Sequence, residues 1–303
     1  MDNRIFTTIM VATDGSELAR KAVDSAIKLA QINKAKLYAV YVIAPGKTKV
    51  TQYDSRDAEW KKHMKEQLTK QGREATHYAE TTGKILNVDV EPVILEGNPA
   101  DEIVNFAVKK HIDLIVIGTL GKTGIQRFLL GSVAENVVRH SRITVLTVRR
   151  NMESGVKIKE GPSRILIATD GSKTATLAAA LGIKFAQQYG AKVYTVYVID
   201  ITAYKAILID EAWATEQYEA CEKEGHRATS SVEEKAKFAG LEAESIILKG
   251  NPADRILDFA DEHNVDMIVV GSLGKSRIER FALGSVSEKV IRHAKVPVLV
   301  VRC

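Results

Sequence analysis

Two stretches of the chain carry residue types that bind anions. Residues 118–132 read GTLGKTGIQRFLLGS, and residues 271–285 read GSLGKSRIERFALGS. Both keep the spacing G-x2-G-x9-G-S: Gly118, Gly121, Gly131 and Ser132 in the first, Gly271, Gly274, Gly284 and Ser285 in the second. The first glycine ends an apolar run, where another backbone or a ligand must come close. The second allows a turn with positive φ. The last glycine and its serine open a helical pattern, whose free N–H groups and positive dipole end favour an anion. The serine hydroxyl either caps that helix or donates to a phosphate oxygen. The embedded GKT and GKS are not Walker loops, because Val116 and Val269 stand where the first Walker glycine is required. The dinucleotide spacing G-x-G-x-x-G is not met either.

A carboxylate also recurs. ATDGS at residues 12–16 returns at residues 168–172, placing Asp14 and Asp170 after an apolar run. Beside phosphates a carboxylate repels unless a metal intervenes. It suits a ribose hydroxyl or an adenine amine, or it caps the next helix through DGS. The two uses are compatible.

These residues are positioned by a duplicated unit. YAVYVI (38–43) returns as YTVYVI (194–199), and LEGNPADEIVNFA (95–107) as LKGNPADRILDFA (248–260). A repeat this long means two domains, 1–150 and 164–303, joined by a polar linker at 151–163. The spacing between copies changes once, between these two blocks. In the first copy, strands are expected at 4–13, 35–43, 87–95, 112–118 and 143–148. Helices are expected between them, the first with Leu18, Ala22, Ala26 and Leu29 on one face. Asn98 reads as a helix cap with Pro99 at the first helical position. Strands rich in Val and Ile on both faces, alternating with helices, predict an α/β fold: two tandem open doubly wound domains, each a five-stranded parallel sheet with helices on both faces. Ligands in such sheets bind beyond the carboxyl ends of the strands, where strand order reverses.

Composition narrows the function classes. The 303 residues carry a net charge of +5 without Lys/Arg clusters interleaved with aromatics, so no nucleic-acid partner is expected. No apolar run spans a membrane. The N-terminus carries no cleavage pattern, and two cysteines make no disulfide framework, so a cytoplasmic location is expected. His63, His77, His140 and His293 are scattered, giving no metal-ligand grouping. Trp60 and Trp213 fall in the long second helices and are expected to cover the sheet.

The repeated ATDGS, the GNPADEI helix start and above all G-x2-G-x9-G-S resemble the universal stress protein family in its ATP-binding branch. The resemblance covers both copies and implies an adenine nucleotide alpha hydrolase-like fold. It implies that Ala12, Thr13 and Asp14 line the adenosine, with the Val42 backbone near the base. Gly118 would lie by the ribose, and Gly121, Gly131, Ser132 and Val133 would hold the phosphates. In the second copy these become Ala168, Thr169, Asp170, Val198, Gly271, Gly274, Gly284, Ser285 and Val286. The cofactor implied is ATP, AMP or ADP, with Mg²⁺ held only through the phosphates and no side-chain metal ligands. The resemblance also implies pairing of the two fifth strands, 143–148 with 296–301, within one chain or in a homodimer.

Three readings stand at this point. One is a nucleotide-binding stress-response regulator with at most slow ATP hydrolysis. A second is a slow ATPase or another nucleotide-using enzyme. The third is a nucleotide-independent interaction module.

Overall fold

The computed structural model describes residues 4–44, 57–119, 130–149, 161–201, 211–274 and 283–302; at 57–61 and 211–215 it describes the backbone. Gly121, Lys122, Gly124, Lys275, Arg277 and the side chains of Trp60 and Trp213 lie outside this description. The chain divides into two compact units, Met1–Arg150 and Asn151–Cys303.

The first unit runs β1 (Thr8–Ala12), α1 (Glu17–Asn33), β2 (Lys36–Ile43), α2 (Asp57–Ile85), β3 (Val90–Glu96), α3 (Pro99–Lys109), β4 (Leu114–Gly118), α4 (Ser132–His140) and β5 (Thr144–Val148). Its sheet is parallel, in the order β3-β2-β1-β4-β5. The second unit repeats the pattern with β6 (Arg164–Ala168), α5 (Lys173–Tyr189), β7 (Lys192–Ile199), α6 (Glu211–Phe238), β8 (Ala243–Lys249), α7 (Pro252–Glu262), β9 (Met267–Gly271), α8 (Ser285–His293) and β10 (Val298–Val301). Its order is β8-β7-β6-β9-β10, again parallel. These are open doubly wound domains. Strand order reverses at β1/β4 and at β6/β9.

The central strands are apolar on both faces because helices cover both. Ile9, Met10, Val11, Leu114, Ile115 and Val116 are fully buried. Helices α1 and α2 pack together on one face, and α3 and α4 on the other. The expected stripe Leu18, Ala22, Ala26 and Leu29 is buried, together with Val23 and Ile27 between its members.

The first strand is shorter than its apolar run predicts. Upstream of Thr8, the backbone finds side chains instead of a ladder: Ile5 and Phe6 N–H donate to Asn33 Oδ1 at 2.7 and 3.3 Å, and Thr7 N–H to Asp113 Oδ2 at 2.7 Å. Likewise β10 starts after Pro297, which has no N–H to donate.

The change in repeat spacing is confined by packing. A Cβ on Gly72 in α2 would stand 2.8 Å from Tyr41 Cδ1, and one on Gly225 in α6 would stand 2.7 Å from Tyr197 Cδ1. Each glycine seats the same tyrosine of the preceding strand. The two long helices are therefore in register from Gly72 and Gly225 onward, and the length difference falls between Ile43 and Gly72.

At the edge strand β3, Leu37 N–H donates to Asp89 O and Gly97 N–H to Ile43 O. With Pro92 beside Ala39 in the register, the backbones of Val90, Pro92, Ile94 and Glu96 face away from β2. Pro92 thus removes a donor from the open edge. Ser245 occupies the matching place in β8.

Candidate functional site

The carboxyl ends of β1 and β4 meet the start of α4, and the sequence at each place explains the local shape. After β1 the chain must turn into α1 at once. Thr13 N–H donates to Val40 O at 2.9 Å, which extends the sheet by one residue. Asp14 Oδ1 then accepts from Ser16 N–H at 2.9 Å, and Gly15 takes φ 77° to complete the turn. The cap of α1 is Ser16, whose hydroxyl accepts from Ala19 N–H at 3.2 Å. In the second unit, Asp170, Gly171 and Ser172 repeat this turn with the same distances. Asp14 and Asp170 therefore close the turn, while the serines cap the helices, which corrects the expectation of an aspartate cap.

After β4, Thr119 N–H donates to Val148 O at 3.0 Å and Gly131 N–H to Thr119 O at 2.6 Å. This second bond returns the chain to the sheet edge, so that α4 starts beside the β4 terminus. The cap of α4 is Gly131, with φ −65° and ψ 144°, and Ser132 is already the first helical residue. The expectation that Ser132 caps the helix is corrected: the cap has no side chain. In α8 the cap is Gly284, at φ −66° and ψ 145°.

The glycines of the motif have different physical reasons. A Cβ on Gly118 would lie 3.2 Å from Leu18 Cγ, and one on Gly271 would lie 3.1 Å from Ala175 N. The first motif glycine thus makes room for the helix after the first strand. The positive φ expected at the second glycine is not found at Gly274; there a Cβ would stand 2.8 Å from Asp170 Oδ2. Gly284 differs from both. Its torsions suit any residue, and among the described residues a Cβ there would make only ordinary contacts, the nearest being Ser272 O at 3.5 Å.

In the first unit these pieces enclose a cavity of about 300 Å³. Ala12, Thr13, Asp14, Val42, Gly118, Gly131, Ser132 and Val133 all line it, which are all the described residues expected of that copy. Sequence reasoning missed Tyr41, Val40, Pro99, Ile103 and Thr119, which are also part of the wall. The repeated strand YAVYVI/YTVYVI and the GNPADEI helix start were the signals for most of them. Tyr41 is buried, and burial, followed by the charge of Asp14, pushes its phenol up from the usual tyrosine range. Its ring is therefore neutral at physiological pH. In the second unit Ala168 ends β6, Thr169 N–H donates to Val196 O at 2.9 Å, Val198 lies near the end of β7, Gly271 ends β9, Gly274 follows it, and Gly284 caps α8, which Ser285 and Val286 open. The His, Cys, Asp and Glu side chains form no metal-binding group among the described residues. Nor, among those residues, is any helix long and apolar enough to cross a membrane.

A doubly wound α/β domain used twice, with a cavity in the first copy at the switch point between helix starts and strand ends, defines the class. The chain belongs to the universal stress protein family, whose sequence pattern matches residues 6–149 and 162–302. It is 37% identical over 139 residues to universal stress protein MJ0531 of Methanocaldococcus jannaschii, covering 46% of this chain and 81% of that one. It is 34% identical over 151 residues to universal stress protein YxiE of Bacillus subtilis, covering 48% and 100%. Universal stress protein Rv1996 of Mycobacterium tuberculosis matches along both copies, with 24% identity over 97% of this chain and 94% of its own. A universal stress protein structure from Archaeoglobus fulgidus shares the fold, with TM-score 0.70, 23% identity, and coverage of 100% and 99%.

Proposed function

We propose that this protein binds an adenine nucleotide, ATP with AMP and ADP as alternatives, in a regulatory stress-response role. One observation carries the reading: a single cavity gathers Asp14, apolar strand ends and the uncapped start of α4. The first-turn N–H groups of α4, at Ser132 and Val133, would hold phosphate oxygens, since the glycine cap offers them no side-chain acceptor. Asp14 would accept from a ribose hydroxyl or the adenine amine. Val40, Val42 and Ile103 would bury the apolar faces of the base. Mg²⁺ would be held through the phosphates alone. The glycine at 284, required neither by torsion nor by crowding among the described residues, fits close approach of a ligand in the second copy.

Binding without efficient turnover is the better reading of the lining. Asp14 and Tyr41 are its ionisable side chains among the described residues, and the Tyr41 phenol holds its proton. Tyr41 is therefore no base, and Asp14 is assigned to the ribose or adenine, away from a water at the phosphates. Calorimetric titration of the purified chain with ATP and Mg²⁺ tests the proposal. About two equivalents per chain are expected, one for each motif. No binding overturns the nucleotide reading and leaves the interaction module; steady hydrolysis well above a trace replaces the regulator with an enzyme. Pairing of the two fifth strands belongs to the same proposal.

A further inference from the structure

The duplication provides an internal comparison away from the nucleotide cavity. In the first unit the space between α1 and α2 is plugged. Tyr78 Oη donates to Asp24 Oδ1 at 2.8 Å, and the Arg20 guanidinium lies 5.3 Å from the centre of the Tyr78 ring. With the helices aligned as above, the second unit has Ser231 for Tyr78, Ala180 for Asp24 and Thr176 for Arg20. Three bulky groups become small ones, and a groove of about 310 Å³ opens between α5 and α6.

The rim changes in the same sense. Arg227 replaces Glu74 and Lys235 replaces Thr82, and both cations line the groove. Arg227, Ser231 and Lys235 succeed one another at i, i+4 and i+8, so they form one exposed row about 12 Å long on α6. Their side chains are long enough to converge over Ser231. The Thr176 hydroxyl donates to Ser172 O at 3.0 Å, which leaves its lone pairs as acceptors. Glu224 stands at the other end, with Oε1 3.7 Å from where a Cβ on Gly171 would be. The groove therefore has a basic end for an acidic head and an acceptor end for hydroxyl donors.

We propose that this groove is a second ligand site, present only in the second unit, for a small phosphate monoester. The phosphate sits over Ser231 between Arg227 and Lys235. A dianion with three terminal oxygens can take both cations and the serine hydroxyl at once, and guanidinium and ammonium groups are the usual phosphate partners. The groove shares Thr169 with the turn after β6, yet the proposal does not depend on nucleotide binding.

The test is amide NMR of the full chain titrated with inorganic phosphate. Saturable shifts at Ala228, Ser231 and Val232 are expected. In the double variant Arg227→Glu/Lys235→Thr, which restores the first unit's rim on exposed positions, the dissociation constant should rise on the order of tenfold. Ser231→Tyr, which rebuilds part of the plug, should abolish the shifts; if it does not fold, the rim variant decides. Shifts that never saturate, that are confined to Gly284 and Ser285, or that persist unchanged in the rim variant overturn the proposal.

Discussion

Oδ2 of Asp170 lies 2.8 Å from the point where a side chain on Gly274 would begin. The carboxylate after the first strand and the loop after the fourth are thus adjacent, although 104 residues of sequence (274 minus 170) separate them. Gly274→Ala should displace this carboxylate, whose other oxygen is held by Ser172 N–H. Affinity for ATP at the second site is expected to fall about tenfold, a loss of ~1.4 kcal/mol, with the first site unchanged. Calorimetry showing two unaltered sites would separate Asp170 from binding.

The glycine caps of α4 and α8 allow an opposed pair of effects. Gly131→Asp or Gly284→Asp supplies the missing acceptor to each helix start, and their torsions suit any residue. Thermal stability should rise by a few tenths of a kcal/mol, the usual margin of an aspartate cap over glycine. Nucleotide binding at the altered site should disappear, because the new carboxylate takes the N–H groups and repels phosphate. A variant that is more stable and still binds ATP normally would remove the helix start from the site.

Alkaline stability should depend on Tyr189. Burial pushes its phenol up to about 12 from the ordinary 10. A folded-state value above the unfolded one contributes stability that is complete below pH 10 and lost as the pH rises through 12. Two units correspond to at most about 2.7 kcal/mol. Tyr189→Phe is expected to flatten the pH 10–12 part of the unfolding curve. An unchanged slope would show that Tyr189 ionises freely.

Strand pairing is tested with the two halves. Within each unit the fifth strand, β5 or β10, has a partner strand on one side, β4 or β9. Residues 1–150 and 151–303, produced separately, are expected to associate one to one in analytical ultracentrifugation. Two stable monomers at high concentration would rule out pairing through these edges.

The sequence made the class of fold and most of the cavity lining readable, for physical reasons that are local. Periodicity marks strands covered on both faces, and the internal repeat doubles each signal, as with Leu18, Ala22, Ala26 and Leu29. Element ends were less readable because side chains far away in sequence decide them. Asn33 and Asp113 take the backbone donors upstream of Thr8, and no local pattern announces that. The roles within ATDGS were divided differently from expectation because both side chains can accept from nearby backbone N–H groups, and geometry alone settles that Asp14 takes Ser16 N–H while Ser16 takes Ala19 N–H. Tyr41 was missed because a tyrosine on a strand reads as core; its place on the cavity wall follows from Gly72 of α2 meeting its ring.

Pro92 bears on how the protein behaves when crowded. A visiting strand docking along β3 would find one of its central hydrogen-bond donors missing. Fibrous growth by edge-to-edge templating needs a surface that accepts each new copy, and here each arrival would bind with a defect. That edge acts as a chain terminator. β8, with Ser245 at the matching place, lacks this protection and is the more vulnerable seed if partially unfolded copies accumulate under the conditions from which such a family takes its name.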